Sequence, residues 1–228
     1  MRSLVFWVLM LCYAQADVFR VYTEQNPPFN YHEKSGVGGE STKLLKELFA
    51  KSGDTIENDT IHLVPWTRAY RDVIHQERSM LYSTVRTQER EHLFAWVGPI
   101  GKIRLGVVAK KKNKITLQTL RSGHPSRLGT IIDTGAEHLL LKKGFALNDL
   151  DRFNSVASQL NKLKNDRLDA VAFNIDAIFQ TLKEIGCNSD EYEVVSMLQE
   201  NDLYFAFNKQ TDAKTIENLN QLLKNIPR

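Results

Sequence analysis

The sequence predicts an α/β protein made of two units in series, each a mostly parallel sheet flanked by helices. Three features carry that expectation. Strand-like and helix-like segments alternate as β–α–β–α–β before residue 90, a second alternation runs from Ile103 to Asn174, and two further β-rich stretches followed by a helical pattern close the chain. With 228 residues, 42% hydrophobic and 25% charged, the composition is that of an ordinary globular protein with a real core to bury.

In order, Val18-Phe19-Arg20-Val21-Tyr22 alternates as a strand and runs into Thr23-Glu-Gln-Asn-Pro-Pro-Phe29, where two adjacent prolines exclude helix and sheet pairing. A loop at the carboxyl end of a strand is where open α/β sheets bind ligands. Ser41 to Phe49 places apolar residues at i, i+1, i+4 and i+5, an amphipathic helix stopped near Gly53. Ile61 to Val64 is a second strand. Pro65 suits the first turn of a helix reaching Ile74, because its missing N–H would go unpaired there anyway, and Trp66 sits at that junction. Taken alone, Trp66 reads equally well as a core anchor.

Met80 to Thr84 forms the third strand. It ends in the hydroxyls of Ser83 and Thr84, with Arg86 and Arg90 spaced to share one helical face. An arginine fork can grip a carboxylate through two parallel bonds. The same residues also fit a helix start capped by Ser83 or Thr87, with Glu89, Arg90 and Glu91 on a solvated face.

The second unit begins with a strand over Ile103 to Ala109 and a solvated turn, Lys110-Lys-Lys-Asn-Lys114. Leu117 to Leu120 is a short helical piece. A strand ending at Ile132 runs into the polar turn Asp133-Thr134-Gly135-Ala136-Glu137, which opens a helix whose exposed N–H groups attract carboxylates. Phe153 starts another strand-like step, Val156 to Lys164 is a helix, and Arg167 to Asn174 is a strand with a polar end. Glu193 to Met197 and Leu203 to Phe207 read as two strands, and Asp212 to Leu223 as the closing helix.

Residues 1–16 differ from the rest. Arg2, the apolar run Leu4 to Tyr13 and Ala14-Gln15-Ala16 have the form of a secretory signal peptide cut after Ala16. Cys12 follows the bulky Leu11, which favours a soluble exported protein over a lipid anchor. Cleavage would leave Cys187 as the sole cysteine, so no internal disulfide is expected. A net charge of +3 is too slight to imply nucleic acid. Neither cofactor nor metal is expected: the chain lacks a Gly-rich phosphate loop, a zinc cysteine pair and histidines at metal-ligand spacing.

The stretch Ser83, Thr87, Arg90, Trp96, Pro99 resembles the Ser…Thr…Arg…aromatic…Pro signature of the bacterial extracellular solute-binding proteins of family 3. Pro27-Pro28-Phe29 with the Gly36-Val-Gly38-Gly39 turn, and Arg167-Leu-Asp-Ala170, resemble that family too, and the likeness spans Val18 to Lys224. It implies a two-lobed periplasmic-binding-protein-like fold: residues 17–102 in lobe 1, 103–197 in lobe 2 and 198–228 back in lobe 1, with hinge strands near Lys102–Val107 and Val194–Gln199. It also implies roles. Arg90 would hold a carboxylate, helped by Ser83 and Thr134; Trp66 and Phe29 would wall the pocket; Asn174 would close it where the family often has an aspartate for the ligand's ammonium. An amide supplies no countercharge. Arg68 and Arg86 stand near the same mouth, where they would either favour carboxylate-rich solutes or pair with Asp72 and Glu89.

The resemblance therefore implies a monomeric periplasmic protein, not an enzyme, that captures a small polar, carboxylate-bearing solute for an ABC permease by lobe closure. Two alternatives share the fold: a periplasmic dehydratase of the cyclohexadienyl type, with Glu24, His32, Glu137 and Asp176 as available acid–base groups, and a ligand-sensing module without transport.

Overall fold

The computed structural model describes residues 16–122 and 127–227. The leader expected at 1–16 thus falls, apart from Ala16, outside the described residues. The first α/β series comprises β1 (Val18–Thr23), a short hairpin of β2 (Tyr31–Glu33) and β3 (Gly36–Gly38), α1 (Glu40–Ser52), β4 (Thr55–Leu63), α2 (Trp66–His75) and β5 (Ser79–Val85). A long strand, β6 (Phe94–Lys110), leads to the second series. This holds α3 (Leu117–Arg121), β7 (Leu128–Ile131), α4 (Gly135–Lys142), β8 (Leu150–Phe153), α5 (Val156–Lys164), β9 (Ala170–Asn174) and α6 (Ile175–Glu184). A second long strand, β10 (Tyr192–Asn208), returns to the first series, where α7 (Ala213–Lys224) packs on α1.

The strands form one sheet of eight in the order β4-β1-β5-β10-β6-β9-β7-β8. On one side β1 pairs in parallel with β4 and β5; on the other β7 pairs in parallel with β8 and β9. Between them lie the antiparallel 17-residue strands β6 and β10. At about 3.3 Å per residue each is roughly 55 Å long, enough to serve both halves of the two-lobed α/β fold.

The direction of pairing decides where the halves meet. β5 runs antiparallel to β10, with Val85 opposite Leu203, while β9 runs antiparallel to β6, with Asn174 opposite Leu105. Leu203 is itself opposite Gly101. The two parallel sets therefore point their carboxyl ends at each other across the middle of the long strands, so every strand-to-helix turn of one lobe faces those of the other.

Helix ends are set locally. Gly53 closes α1 in the left-handed region at φ 85° and returns its N–H to the Phe49 carbonyl, a conformation that costs a side-chain-bearing residue more than glycine. α2 buries Trp66, Ala69 and Val73 against the first half of the sheet, and α6 buries Ile175, Ala177, Ile178 and Leu182 against the second. Phe19 joins the layers of the first half, 5.1 Å edge-on to Phe207 and 5.6 Å from Phe49.

Several elements differ from expectation, among them three that border the site or join the halves. β6 begins at Phe94, nine residues before the expected start at Ile103. β10 is continuous where two strands were expected, because Gln199 to Asp202 hold their register opposite Leu105 to Lys102 by strand pairing and a Lys102–Glu200 ion pair at 3.1 Å, without alternating apolar side chains. α6 was not expected; Asn174, read as the polar end of a strand, also caps this helix by accepting from Asp176 N at 3.1 Å.

Candidate functional site

The facing strand ends enclose a cavity lined by Glu24 and Asn26 after β1, Trp66 at the start of α2, Ser83 and Val85 of β5, Arg90, Ile103 and Leu105 of β6, Thr134 and Gly135 at the start of α4, and Phe173 of β9. Its volume is about 30 Å3, room for about one water. The floor is tight, since a Cβ at Gly135 would lie 3.0 Å from Leu105 Cδ1.

Arg90 is the centre of charge. Only 5% exposed, it stacks between two rings, 4.9 Å from the Trp66 centroid and 5.5 Å from that of Tyr70. Its Nη1 donates to the Val85 carbonyl at 3.3 Å, and Nη2 donates across the cleft to the Asp133 carbonyl at 2.8 Å. Trp66 Nε1 donates to that same carbonyl at 3.0 Å. Burial pulls the guanidinium's pKa below its ordinary value, though it stays charged at any physiological pH. Among the described residues Arg90 makes no ion pair with a carboxylate.

Glu24 is the only carboxylate among the lining residues. Part of the residue's surface is open to solvent, yet its acidic end has no hydrogen-bond partner among the described residues, and desolvation pushes its pKa up to about 8 against the downward pull of Arg90. Its backbone is fixed by Asn30 Nδ2, which donates to the Glu24 carbonyl at 2.6 Å.

Ser83 presents a buried hydroxyl without a partner and has φ 59°, in the left-handed region. A non-glycine residue held there costs about 1–2 kcal/mol, and such strain concentrates at functional sites. Thr134 lines the cavity but donates its hydroxyl back to the Ile131 carbonyl at 2.8 Å. The turn before it is braced by Glu137, 1% exposed, which accepts from Asp133 N at 2.9 Å and from Arg152 at 2.8 and 2.9 Å.

Asn174 adjoins the cavity with its amide fully used: besides capping α6, its Nδ2 donates to Asn26 Oδ1 at 2.8 Å and to the Pro27 carbonyl at 3.3 Å. Phe29 is absent from the lining, and its ring belongs to the hydrophobic core. Arg68 is 62% exposed and pairs with Asp72 at 3.6 Å. Arg86 pairs with Glu91, not Glu89, and stacks over Trp96 and Tyr204 at 5.7 and 5.6 Å. Glu89 instead reaches across the cleft to Lys142 at 2.9 Å. Of the four acid–base candidates only Glu24 reaches the cavity: Glu137 is paired with Arg152, Asp176 with Arg104, and His32 is exposed on the β2–β3 hairpin.

Sequence reasoning missed Asn26 as a cavity residue and named Glu24 only as an available acid–base group. The available signal was their place at the carboxyl end of β1.

A family model described as bacterial extracellular solute-binding proteins, family 3, matches residues 19–228. Comparison with curated proteins finds no match. Among solved structures, an ancestral arginine-binding protein bound to glutamine is similar at TM-score 0.77 and 21% identity, over 91% of both chains. A substrate-binding protein of an ABC uptake transporter from Streptococcus pneumoniae, with bound histidine, gives 0.79 and 17%, over 91% of this chain and 86% of that one. A histidine kinase sensor domain with similarity to periplasmic binding proteins gives 0.77 and 16%, over 91% and 89%. At such identities these likenesses show the shared fold.

Proposed function

The chain belongs to the bacterial extracellular solute-binding proteins of family 3, and from that premise we propose that it captures a zwitterionic or cationic solute of the amino-acid class and presents it to an ABC permease. The family places it outside the cytoplasm and makes it a binder of small solutes; the proposal adds the periplasm, a cleaved leader, a monomeric state and closure of the lobes on the solute. The observation that carries it is a buried guanidinium that makes no ion pair among the described residues and shares a cavity with a single carboxylate. One site suits an anionic group and the other a cationic group. With Arg68 and Arg86 paired to Asp72 and Glu91, no described residue lining this cavity besides Arg90 offers the second positive charge that a dicarboxylate would need.

Titration calorimetry against L-arginine, L-glutamine, L-histidine, L-glutamate and succinate tests this. Saturable binding of at least one of L-arginine, L-glutamine and L-histidine, with none of succinate, is the expected result. Binding of the dicarboxylates succinate or L-glutamate alone, or of nothing in the panel, overturns it.

Ser83 gives a second test. In Ser83→Gly, relief of the left-handed strain offsets the extra chain entropy of glycine, so urea denaturation is expected to move by less than about 1 kcal/mol. Loss of the hydroxyl removes a hydrogen bond to a charged solute group, worth about tenfold in affinity or more. Unchanged affinity would remove Ser83 from the site.

A further inference from the structure

We infer that Asn26 and Asn174 form a clasp that holds the two lobes together through protein groups alone, and that a solute displaces the Asp133 carbonyl from Arg90 while leaving this clasp in place. The inference rests on the reading above that the lobes hinge. Both residues are almost fully buried, at 2% and 0% exposure, and they come from opposite lobes, Asn26 after β1 and Asn174 at the end of β9.

The hydrogen bonding assigns their orientation. Asn174 Oδ1 accepts from Asp176 N as the cap of α6, so its Nδ2 must face the other lobe. There it meets two acceptors, Asn26 Oδ1 at 2.8 Å and the Pro27 carbonyl at 3.3 Å, one for each of its hydrogens. Asn26 is in turn fixed in its loop, donating to the Asn30 carbonyl at 2.7 Å and accepting from Phe29 N and Asn30 N, both at 3.1 Å. Neither end of the clasp has to rearrange for the other. Asn174 keeps no donor for a solute, and recognition of a cationic group is left to Glu24.

The bonds that Arg90 and Trp66 make to Asp133 are of a different kind. They use the donor a carboxylate would take, so they persist only until a solute competes for it. The clasp lies beside that exchange and, with the Glu89–Lys142 pair, favours closing before a solute arrives.

Small-angle scattering on protein stripped of co-purified solute by unfolding and refolding tests this without knowledge of the ligand. Wild type is expected to be as compact as the closed structure. Asn26→Ala, which removes the nearer of the two acceptors, and Asn174→Ser, which keeps a capping oxygen for α6 but removes the amide N–H donors that reach the other lobe, are expected to lower the closed-to-open ratio about fivefold each. Asn26→Asp keeps an acceptor and is expected to stay compact. A wild type already expanded, or both clasp variants as compact as wild type, overturns the inference. Failure of the calorimetric panel would leave these outcomes untouched.

Discussion

Replacing Arg90 by alanine is expected to lower affinity for whichever amino acid the protein binds by a factor of about thirty or more. Removing one member of a desolvated, hydrogen-bonded charge pair costs about 2–5 kcal/mol, because the solute carboxylate is then buried without a partner. Alanine also empties the slot between Trp66 and Tyr70, so the wall that presents the charge loses its filling. Arg90→Lys is expected to recover little: an ammonium neither stacks as a plane between two rings nor offers two parallel bonds. Because burial already disfavours the guanidinium's charge, its removal relieves a desolvation penalty while it opens a cavity, and the two effects on stability oppose each other. Calorimetry on a variant shown folded by its urea transition separates binding from folding. An isotherm superimposable on wild type would remove Arg90 from the site.

Much of this architecture is legible in the sequence because its signals are local. Strand alternation, the Pro65–Trp66 junction and the spacing of Ser83 from Arg90 all fall within a few residues, and the structure brings Trp66, Ser83, Arg90 and Thr134 to one cavity. What stayed hidden depends on partners far along the chain. Asn174 is bonded to a residue 148 positions away, which no spacing rule reveals, and the same side chain starts a helix whose apolar periodicity was there to be read. Phe29 looks like a pocket wall from its place after two prolines. The loop folds back through Asn26 and Asn30 and turns its ring into the core, so the face toward the cleft passes to Asn26 and Glu24. Arg86 was expected to choose between a solute and Glu89; instead Glu91, with the Trp96 and Tyr204 rings, holds it at the rim.

The Glu24 carboxyl makes the sharpest prediction, since its pKa, raised to about 8, puts its titration in the working range of pH. At pH 7 only roughly a tenth of the sites carry the charge that a cationic group needs. Affinity for L-arginine, whose guanidinium does not titrate, is therefore expected to rise close to tenfold per pH unit from 6 toward 8 and to level off above it. Below pH 8 binding should release nearly one proton, so the calorimetric enthalpy should change with the ionisation heat of the buffer. Glu24→Gln is expected to abolish both effects and to bind at least about thirtyfold more weakly at pH 8.5, where a buried charge pair is lost. Stability runs with the opposite sign. The folded state binds the Glu24 proton more tightly than the unfolded chain, so this group's contribution is fully present below the unfolded carboxyl pKa of 4.5 and is lost as pH rises through about 8. Relative to Glu24→Gln, the wild type should thus unfold more easily in urea at pH 8.5 than at pH 5, even as it holds L-arginine more tightly. A pH-independent affinity shared by both proteins would show that this carboxyl faces no cationic group. The two sites are also linked: Arg90 holds the Glu24 pKa down, so its removal should push the Glu24 titration higher still, even where no solute binds.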